Sequence, residues 1–237
     1  MVFSFRTICL LVVLITTVTS CASPKYRLHP ELLQRKNAIR TVGLLPPMVT
    51  MYTSGLVVND DWSHEARESL RKAFVDEMAA VGLSLTPISG ESREADDIAD
   101  LSKAVDFSIG RHAYDNRFQE TFREQVLSFD YSLGSTREMM ERHQVDVVWV
   151  VTGYNLPPTP GQDASAILFS LLLAGMGFPY GPWPLTKIEF RAALVDKSGT
   201  ILFYYRDWPP SGDLRDPRFA RERVRELLSE YRMAVAQ

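Results

Sequence analysis

Histidines and clustered acids offer the first chemistry to consider. His64 opens the run His64-Glu65-Ala66-Arg67-Glu68, which starts like the H-E-x-x-H zinc motif. That motif needs a second imidazole one helical turn on, and Glu68 stands there instead. His64 therefore reads as a surface helix residue. His112 and His143 are isolated in the sequence, and His29 lies in a polar stretch. Asp96, Asp97 and Asp100 could attract a hard cation, but no glycine-turned loop with alternating oxygens frames them, so a solvated helix face is expected. There is no G-x-S-x-G elbow and no phosphate-loop pattern. The expectation is a protein that is not an enzyme, with no metal and no cofactor.

The two cysteines, Cys9 and Cys21, both lie near the N-terminus. The rest of the chain has no disulfide framework, no Cys-rich zinc site and no thiol nucleophile. Around these cysteines the chain runs from Arg6 through the apolar stretch TICLLVVLITTV to the small residues TSCAS. This is the three-part pattern of a secretory signal. Its apolar run of about a dozen residues falls short of the ~20 that span a bilayer as a helix.

Val18-Thr19-Ser20-Cys21 resembles the lipobox of bacterial lipoproteins. The resemblance implies diacylglycerol on the Cys21 thiol, cleavage before Cys21 and an acyl chain such as palmitate on the new amino group. Several acyl chains on one residue meet the requirement for stable anchoring. Ala22 and Ser23 follow the cysteine with no aspartate, which by the same resemblance implies the outer membrane with the domain facing the periplasm. The alternative is ordinary cleavage after Ala22, with Cys21 discarded. Residues 1–20 are thus expected as signal peptide, 21–37 as a lipidated polar tether and 38–237 as the folded domain.

Composition sets further limits. The 237 residues are 46% hydrophobic and 23% charged, which excludes wholesale disorder. A net charge of −3 gives no basic excess to hold nucleic acid.

The elements follow from periodicity. A short apolar strand at Ala38–Leu45 stops at Pro46-Pro47. Trp62 to Val81 has apolar residues at helical spacing, with Asp60 or Asp61 as cap and Gly82 as stop. A second strand at Leu83–Ile88, a mixed helix over 92–115 and a short helix capped by Ser135 or Thr136 come next. Val145–Tyr154 is the most apolar strand, expected at the sheet centre. Two alternating strands joined by Lys197-Ser198-Gly199 form a hairpin. An amphipathic helix behind Asp216-Pro217 closes the chain, its arginines interleaved with acids as a salt-bridged face. The expected fold is α+β: one domain, a mixed sheet of about five strands with a C-terminal hairpin, and helices on one face.

FDYSLGSTREMMERHQVDVVWVVTG and AALVDKSGTILFYYR resemble segments of small bacterial envelope lipoproteins whose fold is similar to the N-terminal domain of TolB and to CsgG. The resemblance implies a fold and a location, and no catalytic residues.

One stretch stands apart. Residues 164–184 hold no charged side chain. The apolar part, 164–174, would be ~16 Å long as a helix, about half a bilayer core, and glycines and prolines break it beyond Gly175. A buried helix, a partner or self-assembly surface, and a lipid-dipping loop all fit. In the last two readings Phe169, Leu172, Met176, Phe178, Tyr180 and Trp183 make the contact. The leading reading is a lipid-anchored, non-catalytic structural or accessory subunit of an envelope assembly. The alternative is a periplasmic binder of a small ligand or peptide, with a cleft between this insert and the Trp149 strand end.

Overall fold

Alternation along three long strands builds the frame of the molecule. The computed structural model describes residues 25–53, 56–80, 82, 84–88, 93–115, 118, 120–157 and 187–236, and within 93–105 only the side chains of 100 and 103. Strand β1 is Tyr26–Leu28 and helix α1 is Pro30–Arg35. They are followed by β2 (Val42–Leu44), β3 (Met48–Met51), α2 (Asp60–Ala80) and β4 (Leu85–Pro87). Helices α3 (Arg93–Tyr114), α4 (Arg123–Ser128) and α5 (Arg137–Arg142) fill the middle. Strands β5 (Val147–Leu156), β6 (Lys187–Asp196) and β7 (Ile201–Asp207) precede the closing helix α6 (Pro217–Ala236).

The strands form one mixed sheet in the order β1-β7-β6-β5-β2-β4, with β3 paired to the far half of β5. β5 is central, as its apolar sequence predicts. It runs parallel to β2 and β3 and antiparallel to the whole length of β6. The α+β class, the hairpin and the single mixed sheet agree with expectation. Two features differ: the sheet has seven strands rather than about five, and helices cover both of its faces. The two strands beyond the expected five, β1 and β3, have three and four residues, too few for a clear period-two signal. On one face α2 and α6 pack on Trp149, Val151, Phe190 and Phe203. On the other, Ile109 and Ala113 of α3 and Met139 and Met140 of α5 pack on Val148, Val150, Val195 and Tyr204.

The expected 21–37 tether is a second correction. From Tyr26 on, this stretch is part of the fold. β1 adds to the sheet edge through Tyr26↔Tyr205 and Leu28↔Phe203, and Leu32 of α1 is fully buried. His29, read as a tether residue, caps α1 by accepting from the Glu31 N–H. Alternating charge in KYRLHPELLQRKN conceals the three apolar contacts that hold it.

Local signals at helix ends hold with two departures. Asn59, not Asp60 or Asp61, caps α2, its side-chain oxygen accepting from the Trp62 N–H at 3.0 Å. Asp216 caps α6 through the Arg218 N–H at 2.9 Å, with Pro217 in the first turn. The Thr136 hydroxyl donates across to the Asp196 carbonyl at 2.7 Å instead of capping α5, tying that helix to the hairpin turn.

Candidate functional site

Three strands and one helix bring charged side chains together on the α3 face. Register places Thr152 of β5 opposite Arg191 of β6, and Arg191 opposite Arg206 of β7. Two arginines side by side across a sheet repel each other. Glu189, two residues before Arg191 and so on the same face, relieves this. One oxygen of Glu189 accepts from Nε and Nη2 of Arg206 at 2.7 and 2.6 Å, and the other accepts from Arg191 at 3.3 Å.

Helix α3 supplies the opposite wall. Asp106 and Gly110 are one turn apart and share a helix face. Asp106 is 5% exposed, accepts from the Thr152 hydroxyl at 2.5 Å and lies 3.3 Å from an Arg191 nitrogen. Gly110 leaves room for Arg206, since a Cβ there would meet a guanidinium nitrogen at 3.0 Å. The Arg206 guanidinium stacks 4.0 Å over Trp208.

These groups line a cavity of about 780 Å³, with Met48, Thr50 and Tyr52 on the β3 side and Phe107 and Arg111 on α3. Burial pushes the Asp106 carboxyl above the ordinary carboxylate pKa, against the pull of Arg191 and Thr152. Arg191 is held charged despite its burial by Asp106 and Glu189, its pKa raised. The buried Tyr204 hydroxyl beside Asp106 and the Arg191 Nε make no hydrogen bond of good geometry. The charged wall encloses a space within the ~300–1,000 Å³ of small-molecule sites. It suits a polar ligand or chain segment that carries charge.

The residues singled out by sequence are placed unevenly. His64 is exposed on α2, as expected. Asp100 is exposed and pairs with Lys103 at 2.9 Å, while the side chains of Asp96 and Asp97 lie outside the described residues. Among the described residues no group of three metal-ligating side chains occurs. His112 is not isolated: its ring stacks on Phe122 at 3.7 Å, its Nδ1 meets the Tyr131 hydroxyl at 3.1 Å, and burial beside Arg111 lowers its pKa.

The insert side of the cleft expected at the Trp149 end lies outside the described residues. Trp149 is 1% exposed near the start of β5, whereas the insert leaves after Leu156, the cross-strand partner of Lys187 where the chain returns. The polar cavity, not Trp149, adjoins that end through Tyr154 and Glu189. Cys21, residues 164–184 and the contact residues Phe169, Leu172, Met176, Phe178, Tyr180 and Trp183 lie outside the described residues. No helix among the described residues is long and apolar enough to cross a membrane.

Glu189, Arg191 and Arg206 escape sequence reading because they alternate with Ile188, Phe190 and Tyr205 like the solvent face of a strand, and Asp106 because it is one acid among several on a helix of mixed polarity. The one signal in the sequence is the expected position of β6 inside a hairpin beside the central strand, which places its polar residues within the sheet and not at an edge. Comparison with family models, curated proteins and solved structures returns no significant match.

Proposed function

We propose that the chain is a lipid-anchored bacterial envelope protein of the outer membrane, facing the periplasm, that serves without catalysis as an accessory subunit of an envelope assembly. One observation carries this reading. The lipobox-like Val18-Thr19-Ser20-Cys21 is followed almost at once by folded chain, because Lys25 already bonds Asp207 at 3.0 Å. Four residue steps reach at most roughly 14 Å. Acyl chains on Cys21 would hold the β1 edge against the bilayer, an arrangement suited to a subunit whose contacts are at the membrane. The uncharged residues Phe169, Leu172, Met176, Phe178, Tyr180 and Trp183 would supply a surface for membrane, partner or self-assembly. The covalent diacylglycerol and N-acyl chain are the only non-protein groups required, and no nucleic-acid partner is involved.

The test is the mass of the mature N-terminus in membrane and soluble fractions, for the wild type and Cys21→Ser. A triacylated Cys21 peptide, lost in the variant together with membrane retention, is expected. An unmodified soluble chain beginning at Ser23 would overturn the anchor.

The polar cavity supports a second reading, a periplasmic binder of a small ligand or peptide. Melting-temperature shifts with charged metabolites and short peptides, abolished by Arg191→Gln, are its expected signature. No shift across the panel contradicts it.

A further inference from the structure

The connection from β3 to α2 exposes three aliphatic side chains in a row. Leu56, Val57 and Val58 are 70%, 64% and 49% exposed. Apolar residues scattered singly on a surface need no explanation, but a run of three on one turn does. The turn is held by its own hydrogen bonds. The Thr53 N–H donates to the Val57 carbonyl and the Leu56 N–H to the Thr53 carbonyl, both at 2.9 Å. Tyr52 pairs with Val58, and the Asn59 N–H donates to the Met51 carbonyl at 2.9 Å to close the base. Moving the turn into a medium poor in water leaves these three N–H groups satisfied. Leu56 has a φ of +58°, a left-handed conformation that leucine adopts at a cost. Its side chain is turned out from the core, at a position where asparagine or glycine would be less strained.

The place of the turn in the fold says what covers it. β3, β5 and β7 all run toward one end of the sheet, and β1 starts from that end. Lys25, whose carbonyl accepts from the Arg206 N–H, enters the fold there. Cys21 is four residue steps earlier, at most roughly 14 Å of chain. β1 and β3 are separated by four inter-strand steps, roughly 19 Å along the same end of the sheet. Trp208 follows β7 at this end and is half-exposed, an indole suited to the lipid headgroup region. Asp60 and Asp61, exposed directly after the turn, disfavour an anionic surface. We propose that Leu56, Val57 and Val58 dock into the interface of a bilayer of zwitterionic phospholipid, so that this turn and the acyl chains on Cys21 hold the domain at two points. The inference rests on the anchor reading for the first point, and the turn itself carries the second.

Val57→Cys places a thiol on the turn. The lipidated chain is labelled there with nitrobenzoxadiazole and reconstituted in vesicles of phosphatidylcholine and phosphatidylethanolamine, with and without doxyl-labelled lipid. Met233→Cys is the control, because α6 runs back from the β7 end to the start of β5, where Tyr231 meets Trp149, and Met233 is exposed. Emission at position 57 is expected to shift to the blue on vesicles and to be quenched by doxyl lipid, while position 233 stays unquenched. Leu56→Asn, added to the labelled chain, suits the left-handed backbone and is expected to keep or raise the melting temperature while most of the quenching is lost. The chain from Ala22 onward, which retains every described element, gives the same readout without acylation when a histidine tag holds its N-terminus to nickel-chelating lipid. Failure of acylation at Cys21 and failure of the turn to dock are thus separate results. Water-like emission at position 57 on vesicles, with either tether, overturns the proposal. So does equal quenching at positions 57 and 233. Blue emission of the tagged chain before vesicles are added assigns the turn to the protein's own surface or to a second copy, and also overturns it.

Discussion

Two buried charge clusters sit on opposite faces of the same hairpin. Asp207 and Arg223, 4% and 8% exposed, pair at 2.9 Å. Lys25, Glu222 and Glu226 complete their network, which joins the start of the chain, β7 and α6. Neither residue lines the polar cavity. Asp106, Glu189, Arg191 and Arg206 are paired too, but they wall it. Burial and pairing are therefore shared by both clusters. The difference is space, and with it the possibility of meeting a ligand. A buried ion pair alone is weak evidence of function, since structural networks make them as well.

The largest expected effect is on the closed cluster. Asp207→Asn takes from buried Arg223 its one buried carboxylate, leaving the more exposed Glu222 and Glu226, and is expected to cost about 3 kcal/mol in urea unfolding. Next is Asp196, at the hairpin turn. Burial raises its pKa, but the Ser198 hydroxyl, Arg35 and the Thr200 N–H outweigh this and hold it below the ordinary carboxylate value. Its contribution is present above the unfolded-state pKa and is lost as pH falls through the depressed one. Asp196→Asn is expected to cost about 1–3 kcal/mol at neutral pH and to flatten the acid limb of the stability profile.

Asp106 has the opposite sign. Its raised pKa means that its contribution is fully present below the unfolded-state value and is lost as pH rises through the folded one. Asp106→Asn, uncharged and of the same shape, is therefore expected to cost less than about 1 kcal/mol at neutral pH, or to stabilise, and to remove that loss of stability with rising pH. Smallest of all is Arg225→Ala. Its pair with Glu77 at 2.8 Å is on the surface, so its melting temperature should match the wild type.

What sequence reading could reach follows the same division. Val147 to Val151, the Lys197-Ser198-Gly199 turn and the stripe Val224, Leu227, Leu228 carry their burial in residue type and spacing, so the central strand, hairpin and closing helix were legible. Gly199, at a φ of +84°, sits where the turn requires a left-handed residue. The candidate site was not legible. Its charges come from α3 and, more than eighty residues further on, from β6 and β7, and each resembles a solvent-facing position until helix and sheet are packed together. β1 was hidden for a related reason: three residues contribute hydrogen bonds to a sheet edge without any pattern of their own.

The most direct test of the difference between the clusters is urea unfolding of the wild type, Asp106→Asn and Asp207→Asn side by side at one neutral pH. The account predicts an Asp106→Asn stability no more than about 1 kcal/mol below that of the wild type, or above it, and an Asp207→Asn midpoint far below both. Equal, large losses in both variants would contradict it, and would make the cavity wall a part of the fold's own support instead of a surface kept for a ligand.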